Sequence, residues 1–194
     1  MKQYFVENPS LPNTPRILSL DFDNMSFTFS THAGLFSPKK IDTASLLLLT
    51  HMPPLSGSLL DMGCGYGLIG IVLGKKNSVT LTLCDVNRLA LACAVKNAAQ
   101  NKVTATAIHS DGFAEITDTF DHIVMNPPIH AGKAVMYRLY TDAHSHLNKD
   151  GSLYIVIQTK HGAPSTQTML TDLFESCEVL YKKKGYHIFK CSRK

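Results

Sequence analysis

The residues best suited to chemistry are Asn126-Pro127-Pro128-Ile129, which follow the largely apolar run Phe120–Met125. The run predicts a buried strand, and the prolines end it, because proline has no amide hydrogen for a sheet and fixes φ. The first proline also moves Asn126 away from helical backbone angles. An Asn carboxamide is thereby held on rigid backbone at the carboxyl end of a strand, where ligands bind in open α/β sheets. Taken alone, the four residues fit a simple proline turn equally well.

A second candidate site is the glycine turn Gly63-Cys64-Gly65-Tyr66-Gly67, which follows a predicted strand that carries Asp61. Glycines let the backbone approach a ligand and adopt positive φ. The helix that follows favours hydrogen-bond acceptors or negative charge at its N-terminus. Asp85 ends the next strand, where it can accept hydrogen bonds from ribose hydroxyls, and Asp111 follows the third strand, where it can accept one from an adenine amino group. Together these residues predict a nucleotide-type site.

The glycine turn also satisfies a dinucleotide fingerprint. Gly65, Gly67 and Gly70 match G-x-G-x-x-G, and Asp85 lies at about the required spacing. A nicotinamide-dependent dehydrogenase is therefore a competing hypothesis, and a strand-to-helix link that binds nothing is the plainer one. Asp61 opposes the dehydrogenase, because a pyrophosphate disfavours a carboxylate whereas the cationic methionine moiety of S-adenosylmethionine favours one. The Asn-Pro-Pro sequence has no role in hydride transfer.

Strands that alternate with helices must position these residues, and the alternation predicts a parallel sheet with right-handed crossovers. The predicted strands are 17–20 and 25–29 (an N-terminal hairpin), 58–62, 79–84, 103–108, 121–125, 152–158, and 177–181 with 186–190 (a terminal hairpin). The predicted helices are 42–52, 68–74, 87–100, 133–147 and 165–175. Lys149-Asp150-Gly151 is predicted as a turn, and Ala90, Ala94, Val95 and Ala98 are predicted to face inward. The terminal hairpin is expected to add an antiparallel strand at one edge of the sheet.

Length and composition predict a single domain over residues 1–194. In this division, residues 1–57 form a lead-in that is irregular through residue 16 and continues with the hairpin and a helix, and residues 58–194 form the catalytic core. A hydrophobic fraction of 44% and a charged fraction of 18% are typical of soluble globular proteins. No apolar run approaches the roughly 20 residues that span a bilayer, and no signal-peptide core follows Met1. A cytoplasmic protein with no membrane partner is expected.

Metal and disulfide chemistry are not predicted. The five cysteines are odd in number and include no C-x-x-C pair. His144 and His146 are two residues apart on a predicted helix, so their side chains point to different faces.

The net charge of +4 is compatible with a polyanionic partner, and Lys182-Lys183-Lys184 makes the C-terminal end the most basic part of the chain.

These motifs together resemble a class I S-adenosylmethionine-dependent methyltransferase with an N-P-P-[aromatic] amino-methylating motif. The resemblance rests on Asp61 with the glycine turn, Asp85, Asp111 and Asn126–Ile129. Gly34-Leu35-Phe36-Ser37, the helix that begins at Asp42 and the run Asn126–Lys133 extend it to the methyltransferase small domain family, the catalytic half of ribosomal RNA guanine-N2 methyltransferases. It covers the chain from about Phe27 onward and is nearest to a short, one-domain bacterial form.

The resemblance implies a Rossmann-like α/β fold, with a seven-stranded, mostly parallel sheet, one antiparallel strand and an N-terminal β-hairpin. It implies S-adenosyl-L-methionine as cofactor, with contacts from Phe36, Asp61, Gly63, Cys64, Gly65, Asp85, Val86, Asp111, Gly112, Phe113 and Asn126. It implies a catalytic corner formed by Asn126, Pro127, Pro128 and Ile129. Ribosomal RNA or a ribosomal subunit precursor is the implied partner, contacted by the basic terminal hairpin, with His130 and Lys133 as candidate RNA contacts.

The implied chemistry is methyl transfer to an exocyclic amine, most simply guanine N2. Such an amine is a poor nucleophile, and hydrogen bonds to the Asn126 side-chain oxygen and the Pro127 carbonyl would orient its lone pair and stabilise the developing charge. Ile129 stands where many such enzymes have an aromatic residue. Because the motif of adenine-N6 and protein-glutamine methyltransferases usually ends in an aromatic residue, Ile129 makes these two acceptors less favoured. Both stay open as alternatives. A non-catalytic binding module is opposed by Asn126, since binding alone needs no carboxamide there.

Overall fold

The computed structural model describes residues 15–193, so the irregular lead-in predicted for residues 1–16 lies almost entirely outside the described part. Within that part the strands are β1 Arg16–Phe22, β2 Met25–Thr31, β3 Ser56–Met62, β4 Ser78–Asp85, β5 Ala105–His109, β6 Phe120–Met125, β7 Leu147–Gln158, β8 Ser176–Lys183 and β9 Tyr186–Ser192. The helices are α1 Thr43–His51, α2 Leu68–Lys76, α3 Arg88–Gln100, α4 Lys133–Ser145 and α5 Ala163–Leu173. None of these helices combines the length and apolarity needed to cross a membrane.

The main sheet has seven strands in the order β5-β4-β3-β6-β7-β9-β8. The first five pair in parallel, and β9 is antiparallel to both of its neighbours. The predicted Rossmann-like sheet with one antiparallel strand is therefore confirmed. The expected edge position is wrong, because β8 occupies the edge and β9 turns back to fill the space between β7 and β8.

Helices cover both faces of this sheet, and side chains on its strands alternate between two cores. Leu59 of β3 belongs to the core beneath α1, α2 and α3, whereas its neighbour Leu60 belongs to the core beneath α4 and α5. Both side chains are fully buried. Burial on both faces is the reason the central strands read as continuous apolar runs rather than as alternating ones.

The N-terminal hairpin is confirmed as a separate two-stranded sheet. Its turn uses Asp23 and Asn24 at φ of 50° and 61°, the left-handed angles that a two-residue hairpin turn requires and that Asp and Asn tolerate. Phe27 and Phe29 of β2 are buried in the core that includes α3. The hairpin therefore packs on the helical layer and does not extend the main sheet.

Two local predictions are wrong. Val95 of α3 does not face inward but is 48% exposed; Asn97, which is fully buried, takes an inward position because its amide pairs with β2. The predicted turn Lys149-Asp150-Gly151 lies inside β7, where the pairing of Phe120 with Leu147 shifts to His122 with Ser152. The extra residues form a bulge in the strand.

Candidate active site

A cavity of about 640 Å³ opens at the carboxyl ends of the parallel strands, where α/β folds bind ligands. It brings together most of the predicted site residues: Phe36, Gly63, Cys64, Gly65, Asp85, Val86, Asp111, Gly112, Asn126, Pro127, Pro128, Ile129 and His130. Asp61, Phe113 and Lys133 are not part of its lining. Most of the residues that the motifs and the family resemblance single out therefore converge on one cavity.

The glycine turn forms one wall of the cavity. The amides of Gly63 and Cys64 both donate to the Cys84 carbonyl, at 2.8 and 2.9 Å, which ties the turn to β4. Gly63 and Gly65 have φ of 72° and 57°, and a Cβ on either would meet no atom within 4 Å. A ligand can therefore approach this backbone closely.

Asp85 presents a carboxylate to the cavity at the end of β4. Its Oδ2 accepts from Gly65 N and its Oδ1 from Asn87 N, each at 2.8 Å. Burial raises the pKa of Asp85, while these backbone hydrogen bonds oppose the rise. The carboxylate faces the cavity and has acceptor capacity left, so it can also accept a hydrogen bond from a ligand hydroxyl.

Asp61 lies directly behind the glycine turn and is 1% exposed. Its Oδ2 accepts a hydrogen bond from Gly70 N at 2.7 Å. A Cβ at Gly70 would lie 2.9 Å from the same oxygen, so glycine is needed there for this close approach. Burial raises the pKa of Asp61 to about 7, and the neighbouring Asp85 contributes to the rise. A cation bound in front of the turn would favour the ionised carboxylate.

Two residues after β5 differ in their position relative to the cavity. Asp111 is exposed, lines the cavity and accepts from Arg138 Nη2 of α4 at 2.7 Å. Phe113 is 6% exposed and packs in the core, with its ring centroid 4.6 Å from that of His146. Lys133, a predicted RNA contact, begins α4 with its ammonium 5.0 Å from the Tyr137 ring centroid.

Asn126 reaches the cavity from the end of β6, and its amide nitrogen is bound to the start of α1. Asn126 Nδ2 donates to Asp42 Oδ2 and to Ser45 Oγ, each at 3.1 Å. The amide oxygen Oδ1 is therefore the atom available to a ligand. The Pro127 carbonyl accepts from Ile129 N at 2.9 Å and retains a second lone pair. Both oxygens have acceptor capacity that these contacts do not use.

Several lining residues are not predicted as site residues from the sequence: Asp42, Ser45, Arg138, Gln158 and His161. Asp42, three residues before Ser45 and just ahead of an apolar run, carries an N-cap signal. Its contact with Asn126 spans 84 positions and leaves no local signal. Tyr66 is 3% exposed, and its hydroxyl has no hydrogen-bond partner among the described residues. Histidines 130 and 161 meet at the mouth, with ring centroids 6.4 Å apart.

The donors and acceptors of this cavity fit S-adenosylmethionine. The open backbone at Gly63 and Gly65 accommodates close contact, Asp85 can accept from a ribose, and Asp61 lies where a cationic moiety would be stabilised.

No group of three potential metal ligands occurs in residues 15–193. Both ring nitrogens of His146 lie within 3.2 Å of backbone carbonyl oxygens, those of Asp142 and Ile116.

Comparison with known proteins agrees with this description. The family model described as "Methyltransferase small domain" matches residues 26–190. The Bacillus subtilis (strain 168) protein YbxB is 39% identical over 99% of this chain and 98% of its own length. The ribosomal RNA small subunit methyltransferase C of Aeromonas hydrophila is 41% identical over 80% of this chain, and that of Vibrio vulnificus is 32% identical over 92%.

A solved structure extends the likeness to the fold. The T. thermophilus 16S rRNA N2 methyltransferase RsmC, in complex with AdoMet and guanosine, superposes with a TM-score of 0.83 at 27% identity. The match covers 97% of this chain and 53% of that one. The chain thus spans about half the length of the methyltransferase C relatives, and nearly the whole of YbxB. The dehydrogenase hypothesis is rejected, and the chain belongs to the methyltransferase small domain family as an S-adenosylmethionine-dependent methyltransferase.

Proposed function

We propose that this enzyme methylates the exocyclic N2 of a guanine in small-subunit ribosomal RNA. The observation that carries the proposal is Asn126, whose amide nitrogen is bound to α1 while its amide oxygen is available at the cavity. An oxygen in that position accepts a hydrogen bond from an amino group. Relatives named ribosomal RNA small subunit methyltransferase C, and a related structure that contains guanosine, support guanine in RNA as the acceptor.

The cofactor is assigned to the wall formed by the glycine turn. Asp85 would accept hydrogen bonds from the ribose hydroxyls. Asp61, which lies behind the turn, would stabilise the cationic methionine moiety by electrostatic attraction. Asp111 and the adjacent Gly112 would meet the adenine, with Arg138 holding the Asp111 carboxylate in place. Phe36, Cys64 and Val86 would pack around the cofactor, and Phe113 would support this wall from the core. S-adenosylmethionine supplies an electrophilic methyl group on its sulfonium.

The acceptor amine is assigned to the corner formed by Asn126 and Pro127. Guanine N2 is a weak nucleophile because its lone pair is delocalised into the ring. Hydrogen bonds from its two N–H groups to Asn126 Oδ1 and Pro127 O would orient that lone pair and stabilise positive charge as it develops. The product ammonium is acidic and loses its proton to water, so no strong base is required. Ile129, which is half-buried, would pack against the base.

A rim of lysines around the cavity mouth favours RNA over a protein acceptor. We define the lysine rim as Lys39, Lys40, Lys133, Lys160, Lys182, Lys183 and Lys184, all of them exposed. Lys160 follows β7 and Lys182 and Lys183 end β8, at the edge of the sheet where the cavity opens. No rim lysine forms an ion pair within residues 15–193.

One group of acidic residues lies at the other end of the sheet. It includes Asp118, Asp121, Asp142, Glu175 and Glu178, which sit at the starts of β6 and β8 or at the end of α4. The lysine rim would bind phosphates around the target base. His130 at the mouth is assigned to the same RNA surface. A partly assembled ribosomal particle in the cytoplasm is the expected substrate.

A nucleoside map of ribosomal RNA tests the proposal. Ribosomal RNA from cells with and without the gene is digested and analysed by mass spectrometry, and loss of N2-methylguanosine at one position is expected. Complementation with the wild-type gene should restore it, and Asn126→Ala should not, although that variant should still bind S-adenosylmethionine in calorimetry. Unchanged N2-methylguanosine would contradict the proposal, and loss of N6-methyladenosine or of a methylated protein glutamine would redirect it.

A further inference from the structure

We propose that Asp42 and Ser45 are positioning residues, which hold the Asn126 carboxamide with its oxygen towards the methyl-acceptor amine. This inference rests on the proposed function of Asn126. Asp42 and Ser45 lie at the start of α1, more than 80 positions from Asn126 in the sequence, and both line the cavity. We call the three side chains the amide lock.

The amide lock is centred on one carboxylate oxygen. Asp42 Oδ2 accepts from Ser45 N at 2.8 Å, from Ser45 Oγ at 3.0 Å and from Asn126 Nδ2 at 3.1 Å. Ser45 Oγ, which donates to Asp42, also lies 3.1 Å from Asn126 Nδ2 and accepts from it. Both partners of the Asn126 NH2 group can therefore act only as acceptors. The Asp42 carboxylate has no hydrogen, and the hydroxyl hydrogen of Ser45 points to Asp42, which leaves the Ser45 oxygen to accept from Asn126. Ser45 is 4% exposed, so water cannot easily replace it.

The polarity of the amide lock permits only one orientation of the Asn126 amide. A rotated amide would place Oδ1 against the Asp42 carboxylate, which has no hydrogen to donate, and the two oxygens would repel. It would also turn the NH2 group towards the incoming amine, so that two donors would face each other. The carboxylate thus disfavours the inactive orientation before substrate binds, which is preorganisation of the acceptor.

Helix α1 gives the amide lock its rigidity. Asp42 is the N-cap of α1, with φ of −70° and ψ of 132°, and its side chain accepts from Ser45 N. Leu48 and Leu49 of the same helix are buried in the core shared with α2 and α3. The cap contact and the lock contact use the same carboxylate oxygen, so a test must separate loss of orientation from loss of helix stability.

A reciprocal exchange separates these two roles. Asn126→Asp alone places two carboxylates side by side, and we expect kcat to fall at least 100-fold. Adding Asp42→Asn removes one of the two facing charges and keeps a cap oxygen at position 42, because Asn is as good an N-cap as Asp. The double variant is expected to regain at least 10-fold in kcat over Asn126→Asp. If Asp42 only caps the helix, the double variant will be no more active than Asn126→Asp, and the proposal will be overturned.

Ser45→Ala offers a second test, because it removes the hydroxyl and keeps the backbone amide that the cap uses. We expect kcat to fall about 10-fold, with the affinity for S-adenosylmethionine and the melting temperature close to those of wild type. Thr43→Ala, an exposed change in the same helical turn, is the matched control and should behave as wild type. A Ser45→Ala enzyme with wild-type kcat would contradict the assignment.

The side-chain amide of Asn126 gives a readout that needs no RNA. Its 15N-coupled NH2 pair is identified as the signal lost in Asn126→Asp. In wild type, slow hydrogen exchange and two well-separated proton shifts are expected, and Ser45→Ala should accelerate that exchange. If the wild-type enzyme fails to methylate guanine but this signal is protected, the proposed function fails and the amide lock stands. An unprotected wild-type signal would refute the amide lock itself.

Discussion

Asn97 and Ser30 exchange two hydrogen bonds, with Ser30 N donating to Asn97 Oδ1 at 2.8 Å and Asn97 Nδ2 donating to Ser30 O at 2.9 Å. Asn101, one turn further along α3, forms the same pair with Thr28 at 3.0 and 2.8 Å. Four residues of a helix rise about 6 Å along its axis. Alternate residues of a strand lie about 6.6 Å apart, so Asn97 and Asn101 match the spacing of Ser30 and Thr28. The two amides thereby act towards β2 as a neighbouring strand would.

Asn97→Ala should therefore destabilise the protein and loosen the hairpin. Asn97 is fully buried and also donates to the Tyr66 carbonyl, so its loss leaves several backbone groups without partners. We expect a loss of about 1–3 kcal/mol in the free energy of unfolding, measured by urea denaturation. The amide of Ser30 should exchange faster with solvent.

Lys96→Ala is the matched control, since Lys96 precedes Asn97 on α3 and is exposed. It should change stability by less than about 0.5 kcal/mol. Equal stability of the Asn97 and Lys96 variants would show that the amide pairing contributes nothing.

The same helix shows what can be predicted from sequence and what cannot. Strand ends are marked by local signals, so the sequence pattern alone places Asp85, the glycine turn and Asn126 at one edge of the sheet. Hydrophobic periodicity places Ala94 inward correctly but takes Val95 for a core residue. It cannot recognise Asn97, because a polar residue on a helix reads as exposed unless its partner, 67 positions away, is known. The link between Asp42 and Asn126 escapes prediction for the same reason.

Asp61→Asn should make the cofactor-free protein more stable at pH 8 while it weakens S-adenosylmethionine binding. The pKa of Asp61 is about 7 in the folded protein against an ordinary value of 3.8. Between these values the folded state binds more protons than the unfolded chain, so the contribution of Asp61 to stability falls as the pH rises. The amide keeps an acceptor for Gly70 N and removes the buried charge.

The measurement is thermal unfolding of both proteins at pH 5 and pH 8, with calorimetry of cofactor binding at pH 8. We expect the variant to gain on the order of 1–3 kcal/mol at pH 8 relative to wild type, and much less at pH 5. Asp121→Asn is the control of opposite sign. Hydrogen bonds from Asn148 and Ser58 lower the pKa of Asp121, so its stabilisation is present at both pH values and the variant should be less stable at both. A pH-independent effect of Asp61→Asn would contradict the assigned pKa.

Removing charge from the lysine rim should weaken RNA binding and its dependence on salt. Lys182→Gln, Lys183→Gln and Lys184→Gln together remove three charges from the end of the terminal hairpin, next to Lys160. If each contacts one phosphate, the slope of log affinity against log salt should fall by about 0.7 per contact, or about 2 in all. Cofactor affinity should not change, because none of these lysines lines the cavity.

The matched control removes three exposed lysines outside the rim, by changing Lys96, Lys102 and Lys149 to Gln. Both triple variants have the same net charge, so only the location of the lost charge differs. Filter binding of a ribosomal RNA fragment over a range of salt concentrations measures the slopes. Equal slopes for the two triple variants would mean that RNA is held elsewhere or by net charge alone.

The acceptor corner should make a second methyl transfer to the same amine slower than the first. Asn126 Oδ1 and Pro127 O can take one hydrogen bond each, and a primary amine supplies both donors. After one transfer the amine has a single N–H, so one of these oxygens loses its partner in a second round and the methyl group must occupy its place. The loss of one hydrogen bond of about 1.4 kcal/mol corresponds to a tenfold slower second transfer. A time course analysed by nucleoside mass spectrometry should show N2-methylguanosine accumulating first, with the dimethylated nucleoside forming about tenfold more slowly. Dimethylation at a comparable rate would show that the two oxygens do not both hold the amine.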